Sequence, residues 1–257
     1  MESRSTSKVK DRRHIFIPDC QVRPGVNTDH LEACGNYIAD KRPDVIVCIG
    51  DFADMPSLGT HHPKGHIAYE GSRYCADINA VHNGMTRLVK PFHSKIRGYK
   101  PQMILTMGNH EDRITRSIDT DPHMEGKLNL KDLDYENFGW KVYPFLQPAS
   151  IDGILYNHYF PSGQMGRPIN TARGIISKYH QSCVAGHLQG RDIAYGKKAD
   201  NKTITAIIAG SFYSHEEDYL NPITNSHWRG IYVFNEVHDG QFDETAVSLK
   251  FLLKEYI

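Results

Sequence analysis

A short apolar run that ends on a carboxylate constrains this chain most: residues 45–49 (VIVCI) are followed by Gly50 and Asp51. The run is rich in β-branched residues and lies between Pro43 and Gly50, which predicts a strand buried on both faces. In open α/β sheets, ligands bind at the carboxyl ends of such strands. A carboxylate at that edge is costly to bury alone, so the pattern favours a cation beside it. A helix N-cap is the alternative explanation for Asp51 by itself.

The same pattern recurs along the chain. Other apolar runs also end on oxygen or imidazole side chains, which are Asp19, Asn109 with His110, His158, and His187. So many strand ends with this chemistry are difficult to ascribe to chance. We therefore expect these side chains to share one edge of the fold and to bind metal together.

Composition limits the class of protein. The 257 residues suffice for one large α/β domain or two small ones. No linker rich in Pro, Gly or Ser divides the chain, so we expect a disordered lead-in at residues 1–13 and a single domain at 14–257. The formal net charge is zero, which gives no sign of a broad basic surface for nucleic acid.

The cysteines and the N-terminus bear on the cellular compartment. The five cysteines are scattered without a CxxC pair, which argues against a disulfide framework and against a structural zinc site. Residues 1–13 are polar and charged, unlike a secretory signal peptide, and no apolar run approaches the length of a membrane span. We therefore expect a cytoplasmic protein with no membrane partner.

Hydrophobic periodicity predicts an alternation of strands and helices in the first half of the chain. Strands are expected at 14–18, 45–49 and 103–107, and helices at 28–41 and 72–90. Pro91 is expected to end or kink the second helix. A short helix is expected to begin at Glu111.

The second half is predicted to be mostly strand. One helix at 171–180 interrupts seven predicted strands, at 141–144, 150–158, 182–185, 192–195, 203–208, 230–235 and 245–253. An Asp-Gly turn at 239–240 separates the last two strands. This pattern predicts two packed sheets with helices on their outer faces.

Five motifs, in this order, resemble those of the calcineurin-like metallophosphoesterase superfamily. They are Asp19-Cys20-Gln21, Gly50-Asp51-Phe52-Ala53-Asp54, Gly108-Asn109-His110-Glu111, His158, and Gly186-His187-Leu188-Gln189. The resemblance spans residues 14–189, and its second and third motifs are the most specific. It implies an α/β fold, namely a four-layer αββα sandwich of two mixed β-sheets flanked by helices.

The resemblance also implies a site for two divalent metal ions, with Asp51 between them. The implied ligands are Asp19, Gln21 and Gln189 for the first ion and Asn109, His158 and His187 for the second. Two such ions clamp the attacking and leaving oxygens of a displacement at phosphorus. The implied reaction is the attack of a metal-bound hydroxide on phosphorus.

Three further residues are implied to act in catalysis. His110 would protonate the leaving group or stabilise charge on the phosphate, because histidine exchanges protons near neutral pH. Asp54 would contact the residues that bind the ions and would not bind an ion itself. Glu111 would orient His110.

The sequence departs from the family pattern at Gln21 and Gln189, where histidines are expected. Both changes fall on the first ion, whose ligands would then all be oxygen atoms, and such ligands favour Mn²⁺, Mg²⁺ or Ca²⁺ over Zn²⁺. Our hypothesis is a weak first site for manganese or magnesium and a tighter second site. Manganese is favoured overall, with Mg²⁺, Ca²⁺, iron and Zn²⁺ as alternatives. The other possibility is that the glutamines bind no ion.

Three residues are candidates for contacts with substrate, namely Arg113, Arg167 and His215. Arg113 follows the Gly-Asn-His-Glu motif, and a structural ion pair is the alternative for it. Arg167 lies in a glycine-rich loop after the strand that ends at His158. His215 lies in a long segment, 210–229, which contacts either the substrate or a second subunit in a homo-oligomer.

These patterns favour a metal-dependent phosphoesterase. We expect a phosphodiesterase or nuclease whose phosphate-ester substrate is a nucleotide or short nucleic acid. A phosphomonoesterase or protein phosphatase is the alternative within this class. The alternative from another class is a scaffold of the same fold with weak catalysis, which the two glutamines favour.

Overall fold

The structure, a computed structural model, describes residues 11–59, 66–216 and 227–257. Its strands are β1 (Arg12–Ile17), β2 (Val45–Cys48), β3 (Gln102–Thr106), β4 (Lys141–Tyr143), β5 (Ala149–Ile151), β6 (Ile154–Asn157), β7 (Ser182–Ala185), β8 (Arg191–Lys197), β9 (Thr203–Ala209), β10 (Gly230–His238) and β11 (Gln241–Ser248). The α-helices within the described residues are α1 (Asp29–Lys41), α2 (Tyr74–Lys95), α3 (Arg113–Thr120), α4 (Ala172–Tyr179) and α5 (Leu249–Tyr256). Short 3₁₀ segments include Pro56–Leu58, Ile67–Tyr69 and Pro122–Met124.

The strands form two mixed sheets. The first sheet has the order β11-β10-β1-β2-β3-β4, and the second has the order β5-β6-β7-β9-β8. Strands β1 to β4 are parallel to one another, and so are β6, β7 and β9. Because parallel strands end at one edge of a sheet, the residues that follow β1, β2, β3, β6 and β7 are placed to meet.

The alternation of side chains along each strand builds the interior. Val45 and Val47 of β2 belong to one buried cluster with Tyr156 and Val184 of the second sheet. Ile46, between them, belongs instead to the cluster that includes α1 and α2. Strand β2 is therefore buried on both faces, as its apolar run predicts.

Helices cover the outer faces of both sheets. Helices α1, α2 and α5 share an apolar cluster with the outer face of the first sheet. Helix α4 covers the second sheet, where Ile175 packs in a cluster with Cys183 and Ala206. The layers are therefore helix, sheet, sheet and helix, and the predicted αββα sandwich is confirmed.

The single strand predicted at 150–158 is wrong. It is a hairpin of β5 and β6 that turns at Asp152 and Gly153, which have φ values of 49° and 85°. An Asp-Gly pair suits such a two-residue turn because both positions need positive φ. Apolar residues lie on both sides of the turn, so the sequence pattern shows no break between β5 and β6.

The strand predicted at 245–253 is wrong beyond Ser248, where β11 ends and α5 begins. The Ser248 hydroxyl accepts a hydrogen bond from the Phe251 N–H (3.2 Å), which caps the new helix. Leu249 and Leu252 lie on one face of α5 and are buried in the apolar cluster that α1 shares with the outer face of the first sheet. The second half of the chain therefore contains two described α-helices rather than the one predicted.

Pro91 does not end helix α2, which continues to Lys95. A proline inside a helix removes one backbone hydrogen bond and usually kinks the helix. Here the ring is buried against α1, where a Cβ on Gly35 would lie 2.9 Å from Pro91 Cγ. The glycine makes room for the ring, so packing between the two helices compensates for the missing hydrogen bond.

Two expectations concern the N-terminus and the membrane. Strand β1 begins at Arg12, inside the lead-in expected at 1–13, and residues 1–10 lie outside the described part of the chain. Among the helices of residues 11–59, 66–216 and 227–257, none combines the length and the apolar character that crossing a bilayer requires.

Candidate active site

Five strand ends meet at one edge of the two sheets. Asp19, Asp51 and Asn109 follow β1, β2 and β3 of the first sheet, whereas His158 and His187 follow β6 and β7 of the second. Polar contacts between these residues connect all five of them. The structure therefore brings together side chains that lie far apart in the sequence.

One half of the pocket contains imidazole side chains, and we call Asn109, His158 and His187 the histidine half. Asn109 Oδ1 lies 2.9 Å from both His158 Nε2 and His187 Nδ1. Asp51 Oδ2 lies 3.3 Å from His158 Nε2. Ligand atoms of Asp51, His158 and His187 all lie within 4.8 Å of one another, so a single metal ion can contact all three.

The orientation of His158 suits a metal ligand. Its Nδ1–H donates to the Ile49 carbonyl (3.1 Å), which leaves Nε2 directed toward Asn109. Histidines that bind metals usually donate their second ring N–H to a carbonyl or carboxylate in this way. The donors present are one carboxylate, one amide oxygen and two imidazoles, a set that fits a divalent cation.

The other half of the pocket contains the Asp19 carboxylate and the Gln189 amide, and we call Asp19, Gln21 and Gln189 the glutamine half, since Gln21 is buried next to Asp51 in the same turn region as Asp19. Asp19 is buried, and each of its carboxylate oxygens lies 3.1 Å from the His187 backbone nitrogen. Gln189 Nε2–H donates to Asp19 Oδ2 (3.3 Å), and Gln189 Oε1 accepts a hydrogen bond from the Tyr213 hydroxyl (2.9 Å). Tyr213 thus positions the Gln189 amide beside Asp19.

Four of the predicted ligands have a left-handed backbone, namely Gln21 (φ 44°), Asp51 (φ 47°), His187 (φ 68°) and Gln189 (φ 53°). This conformation costs a residue other than glycine about 1–2 kcal/mol. Residues strained in this way cluster at functional sites. The Gln21 N–H also donates to the Asp51 carbonyl (2.8 Å), so two of these turns support each other.

Two motif glycines are required because the loops pass very close to the carboxylates. A Cβ on Gly108 would collide with the Asp51 carboxylate, and a Cβ on Gly186 would collide with the Asp19 carboxylate. Only glycine permits such an approach of the backbone. This explains why glycine precedes Asn109 in one motif and His187 in another.

His110 lies at the margin of the pocket. Its backbone N–H donates to Asp51 Oδ1 (2.9 Å), and its ring Nδ1–H donates to Asp54 Oδ1 (2.8 Å). Its Nε2 lies 3.7 Å from Asp51 Oδ2 and 3.2 Å from Arg113 Nη2. Arg23 donates to the other oxygen of Asp54 (2.8 Å). Asp54 therefore orients the imidazole, and Nε2 is the ring nitrogen that lies nearer to Asp51 in the pocket.

Glu111 is not placed to orient His110 as predicted. Its buried carboxylate accepts hydrogen bonds from the Tyr135 hydroxyl (3.1 Å) and from the N–H groups of Asp51 (2.9 Å), Ala53 (3.0 Å) and Gly108 (2.8 Å). Successive side chains in the tight turn after β3 point in different directions, so Glu111 faces inward where His110 faces the pocket. Glu111 thus holds together the loops that follow β2 and β3.

The charges in the pocket shift several pKa values. Burial raises the pKa of Asp19 to about 7, with Asp51 adding to the shift and His158 opposing it. Burial is the largest single influence on the pKa of His158 and of His110, and it lowers both. The neighbouring carboxylates together outweigh it, chiefly Asp51 at both histidines with Asp19 at His158 and Asp54 at His110, so the pKa of His158 rises to about 9 and that of His110 rises above its ordinary value. Burial and the charge of His158 lower the pKa of His187 to about 4. Buried carboxylates so close together favour bound positive charge, which fits divalent cations.

Arg113 supports the margin of the pocket. Its side chain is buried, and Nη1 donates to the Asp54 carbonyl (2.8 Å) and lies 3.5 Å from Asp54 Oδ1. Its Nη2 donates to His110 Nε2 (3.2 Å). These contacts match the structural ion pair that the sequence left open for this residue.

The other two predicted substrate contacts lie farther from the metal ligands. Arg167 is exposed in a loop that an isolated bridge closes at Pro161 and Pro168. The His215 ring stacks on Tyr213, with the ring centroids 4.6 Å apart. Since Tyr213 contacts the glutamine half, His215 is one residue removed from that half.

Two residues that support the site carry no clear signal in the sequence. Arg23 pairs with Asp54, and Tyr135 donates to Glu111, as described above. The position of Arg23, two residues after the first motif, is the only hint of its role. Tyr135 is distant from every motif in sequence, and only the packing of the fold reveals its contact.

A two-sheet sandwich with carboxylate, amide and imidazole ligands at its strand ends defines a metal-dependent phosphoester hydrolase. Residues 13–180 match the calcineurin-like phosphoesterase family. The match covers more than half of the 257 residues, so the chain belongs to this family, and the predicted resemblance to the family is confirmed. The motif at 186–189 lies beyond the matched residues. No curated protein matches the chain significantly. Membership implies hydrolysis of phosphoesters with divalent metal ions.

Proposed function

We propose that this chain is a phosphodiesterase that acts on nucleotides or short nucleic acid at the pocket around Asp51. The observation that carries the proposal is the cluster of Asp51, Asn109, His158 and His187, with Asp19 bound to the His187 backbone. The donors suit a divalent ion, and the position at the strand ends suits a substrate.

The proposed ligands serve two ions. The histidine half would hold one ion, the glutamine half would hold the other, and Asp51 would be available to both. Manganese is the proposed ion because it accepts oxygen ligands as well as imidazole. Bound there, the ions would supply Lewis acidity at the attacking and leaving oxygens of the phosphate ester.

His110 is proposed to serve the leaving oxygen. Its Nδ1 is engaged by Asp54, so Nε2 is the ring nitrogen that can exchange a proton with the substrate. Burial lowers the pKa of His110, but the carboxylates of Asp51 and Asp54 outweigh it and raise the pKa, which favours the protonated form that a general acid needs. In the structure Nε2 accepts a hydrogen bond from Arg113 (3.2 Å), so donation of a proton from Nε2 requires this hydrogen bond to break.

The charge near the pocket supports a diester as substrate. Arg113 is engaged with Asp54 and His110, and Arg116 donates to the Asn109 carbonyl (2.6 Å). A monoester dianion would gain most from arginines that bind its extra charge directly. A diester carries a single negative charge and depends less on such arginines.

The test is the manganese-dependent release of nitrophenol from bis(p-nitrophenyl) phosphate and from p-nitrophenyl phosphate. We expect a higher kcat/KM for the diester. The Asp51→Asn variant should lower it by on the order of 10³-fold, since the group between both ions loses its charge. Asp200→Asn is the matched control, because Asp200 is an exposed carboxylate on a turn away from the pocket.

The alternatives give different results in this assay. Preference for the monoester would replace the proposal by a phosphomonoesterase or a protein phosphatase. If manganese stimulates neither reaction, the chain is a scaffold that keeps the fold of its family. Full activity of Asp51→Asn would contradict the assignment of the pocket itself.

A further inference from the structure

A cavity of about 800 Å³ lies beside the pocket, on the side of His110 and Arg113. Its walls come from the segment Pro56–Leu58, the segment Ile67–Tyr69, the start of α2, helix α3 and the segment Pro122–Met124. A cavity of this volume accommodates a small molecule of the size of a nucleoside.

Two arginines connect this cavity to the pocket. Arg113 and Arg116 both line it from α3. At the same time, Arg113 donates to His110 Nε2, and Arg116 donates to the Asn109 carbonyl. A phosphate bound in the pocket would therefore direct its leaving group past His110 and into the cavity.

The lining of the cavity is mainly apolar and includes two tyrosine rings. Leu58, Met124 and Leu128 contribute aliphatic surface. The Tyr69 hydroxyl donates to the Gly59 carbonyl (2.9 Å), and the Tyr74 hydroxyl donates to an Asp132 carboxylate oxygen (2.8 Å). These hydrogen bonds hold the hydroxyls, so the rings contribute apolar surface to the cavity.

We propose that the cavity binds the nucleoside on the leaving-group side of the phosphodiester, with the nucleobase against Tyr74. This inference rests on the proposed function. Flat bases stack on aromatic side chains regardless of sequence. An acyl chain in the same place would face Arg116 and Asp119, which also line the cavity, and the burial of these charges against hydrocarbon is unfavourable. A nucleoside offers both an apolar face and polar edges for them.

The experiment compares two substrates in one enzyme preparation with manganese. One is a dinucleoside monophosphate, and the other is the methyl ester of a nucleoside 3′-monophosphate, in which methanol replaces the leaving nucleoside. Release of the nucleoside 3′-phosphate from each substrate is followed by chromatography. The readout is the ratio of kcat/KM for the dinucleotide to kcat/KM for the methyl ester. This ratio cancels losses of folded enzyme or of bound metal.

Two variants alter the cavity by different means, and both should lower the ratio. Tyr74→Leu removes the ring and should lower the ratio about tenfold, as expected for the loss of one stacked base. Ser117→Phe fills the cavity from α3 and should also lower it. Tyr74→Phe keeps the ring and is the matched control, and Tyr195→Leu removes an exposed tyrosine of β8 outside the cavity. Neither control should alter the ratio.

The outcomes separate this inference from the proposed function. An unchanged ratio in both Tyr74→Leu and Ser117→Phe would overturn the nucleoside site and leave the phosphodiesterase proposal intact. A wild-type enzyme that hydrolyses neither substrate would overturn the proposed function and the nucleoside site with it.

Discussion

The two halves of the pocket are built from different side chains around the same carboxylate, that of Asp51. In the histidine half, two imidazoles and the Asn109 amide oxygen converge within hydrogen-bonding distance. In the glutamine half, Asp19 meets the amide of Gln189, which Tyr213 positions from behind. An amide is as neutral as an imidazole, but only its oxygen can bind a metal, and here Gln189 Oε1 accepts from Tyr213 while its Nε2–H faces Asp19. The comparison teaches that the two halves present different donor groups at the same formal charge, which is the basis of the proposed difference in metal preference.

The support beneath the two halves also differs. Asp51 is held from below by Glu111, whose carboxylate accepts four hydrogen bonds. The Asp19 carbonyl accepts a hydrogen bond from the Phe212 N–H (2.7 Å), and the Phe212 ring packs against His30 with the centroids 5.1 Å apart. Neither ring nitrogen of His30 has a hydrogen-bond partner in the part of the chain that the structure describes. Asp51 is therefore supported by a carboxylate whose hydrogen bonds are satisfied. The glutamine half is supported instead by packing on the buried imidazole of His30.

Among the variants that compare the two halves, the largest expected effect comes from removing one proposed ligand from each half. His187→Ala should lower kcat/KM with manganese by on the order of 10²- to 10³-fold, the range for the loss of one group that stabilises charge in the transition state. Gln189→Ala should lower it only about tenfold, since a neutral amide oxygen is a weaker ligand than imidazole. The measurement is diester hydrolysis at saturating metal, with the bound metal counted by mass spectrometry under native conditions.

The number of bound metal ions also distinguishes His187→Ala from Gln189→Ala. His187→Ala should lose the ion that is retained after dialysis, whereas Gln189→Ala should lose only the ion that dialysis removes easily. Equal losses of activity and of metal in both variants would show that the halves do not differ in affinity. Gln147→Ala, at an exposed glutamine in a turn, serves as the control for substitution at an amide.

A smaller effect is expected when the glutamine half is converted to imidazole. The double variant Gln21→His with Gln189→His should raise the preference for Zn²⁺ over Mn²⁺ about 10- to 100-fold. Both positions have positive φ, which histidine tolerates better than most residues, so the fold should be retained. The measurement is activity against metal concentration for each ion after removal of bound metal.

An unaltered metal preference in this double variant would contradict the role of the two glutamines as ligands. It would support the alternative that only the histidine half binds an ion. Gln147→His is the matched control, because it adds an imidazole outside the pocket.

The sequence predicts the strand ends of this pocket because local chemistry dictates them. The apolar runs before Asp51 and Asn109 form buried strands under almost any packing, and the glycines before Asn109 and His187 are forced by close approach. The two-sheet sandwich follows from the change of pattern between the two halves of the chain. These features depend on residues that are neighbours in the sequence.

Features that depend on distant contacts were not predictable in this way. The family resemblance implies that Glu111 orients His110, yet the turn after β3 directs Glu111 toward the backbone of the neighbouring loop. Pro91 continues its helix because of a glycine on another helix. The sequence around 249–256 is as apolar as a strand, and only the Ser248 cap and the face buried on the sheet select a helix.

The smallest expected effect concerns His30, beneath the glutamine half. Burial, followed by the positive charges of His215 and Arg87, lowers the pKa of this imidazole from 6.5 to about 3. The unfolded chain therefore takes up a proton below about pH 6.5 that the folded chain accepts only near pH 3, so the histidine lowers the free energy of unfolding progressively as the pH falls between these values. Between pH 7.5 and pH 5.5, wild type should lose about 1 kcal/mol more of this free energy than His30→Leu.

Urea unfolding of the metal-free protein at the two pH values measures this difference. The absence of metal matters because protons and metal ions compete for the ligands of the pocket. His238→Leu is the control, because His238 is exposed and its ring keeps its contact with water on folding. If His30→Leu and wild type lose stability in parallel as the pH falls, the imidazole of His30 is protonated or hydrogen-bonded in the folded chain. The support of the glutamine half would then be as well satisfied as that of Asp51, and the difference between the two halves would be confined to their ligands.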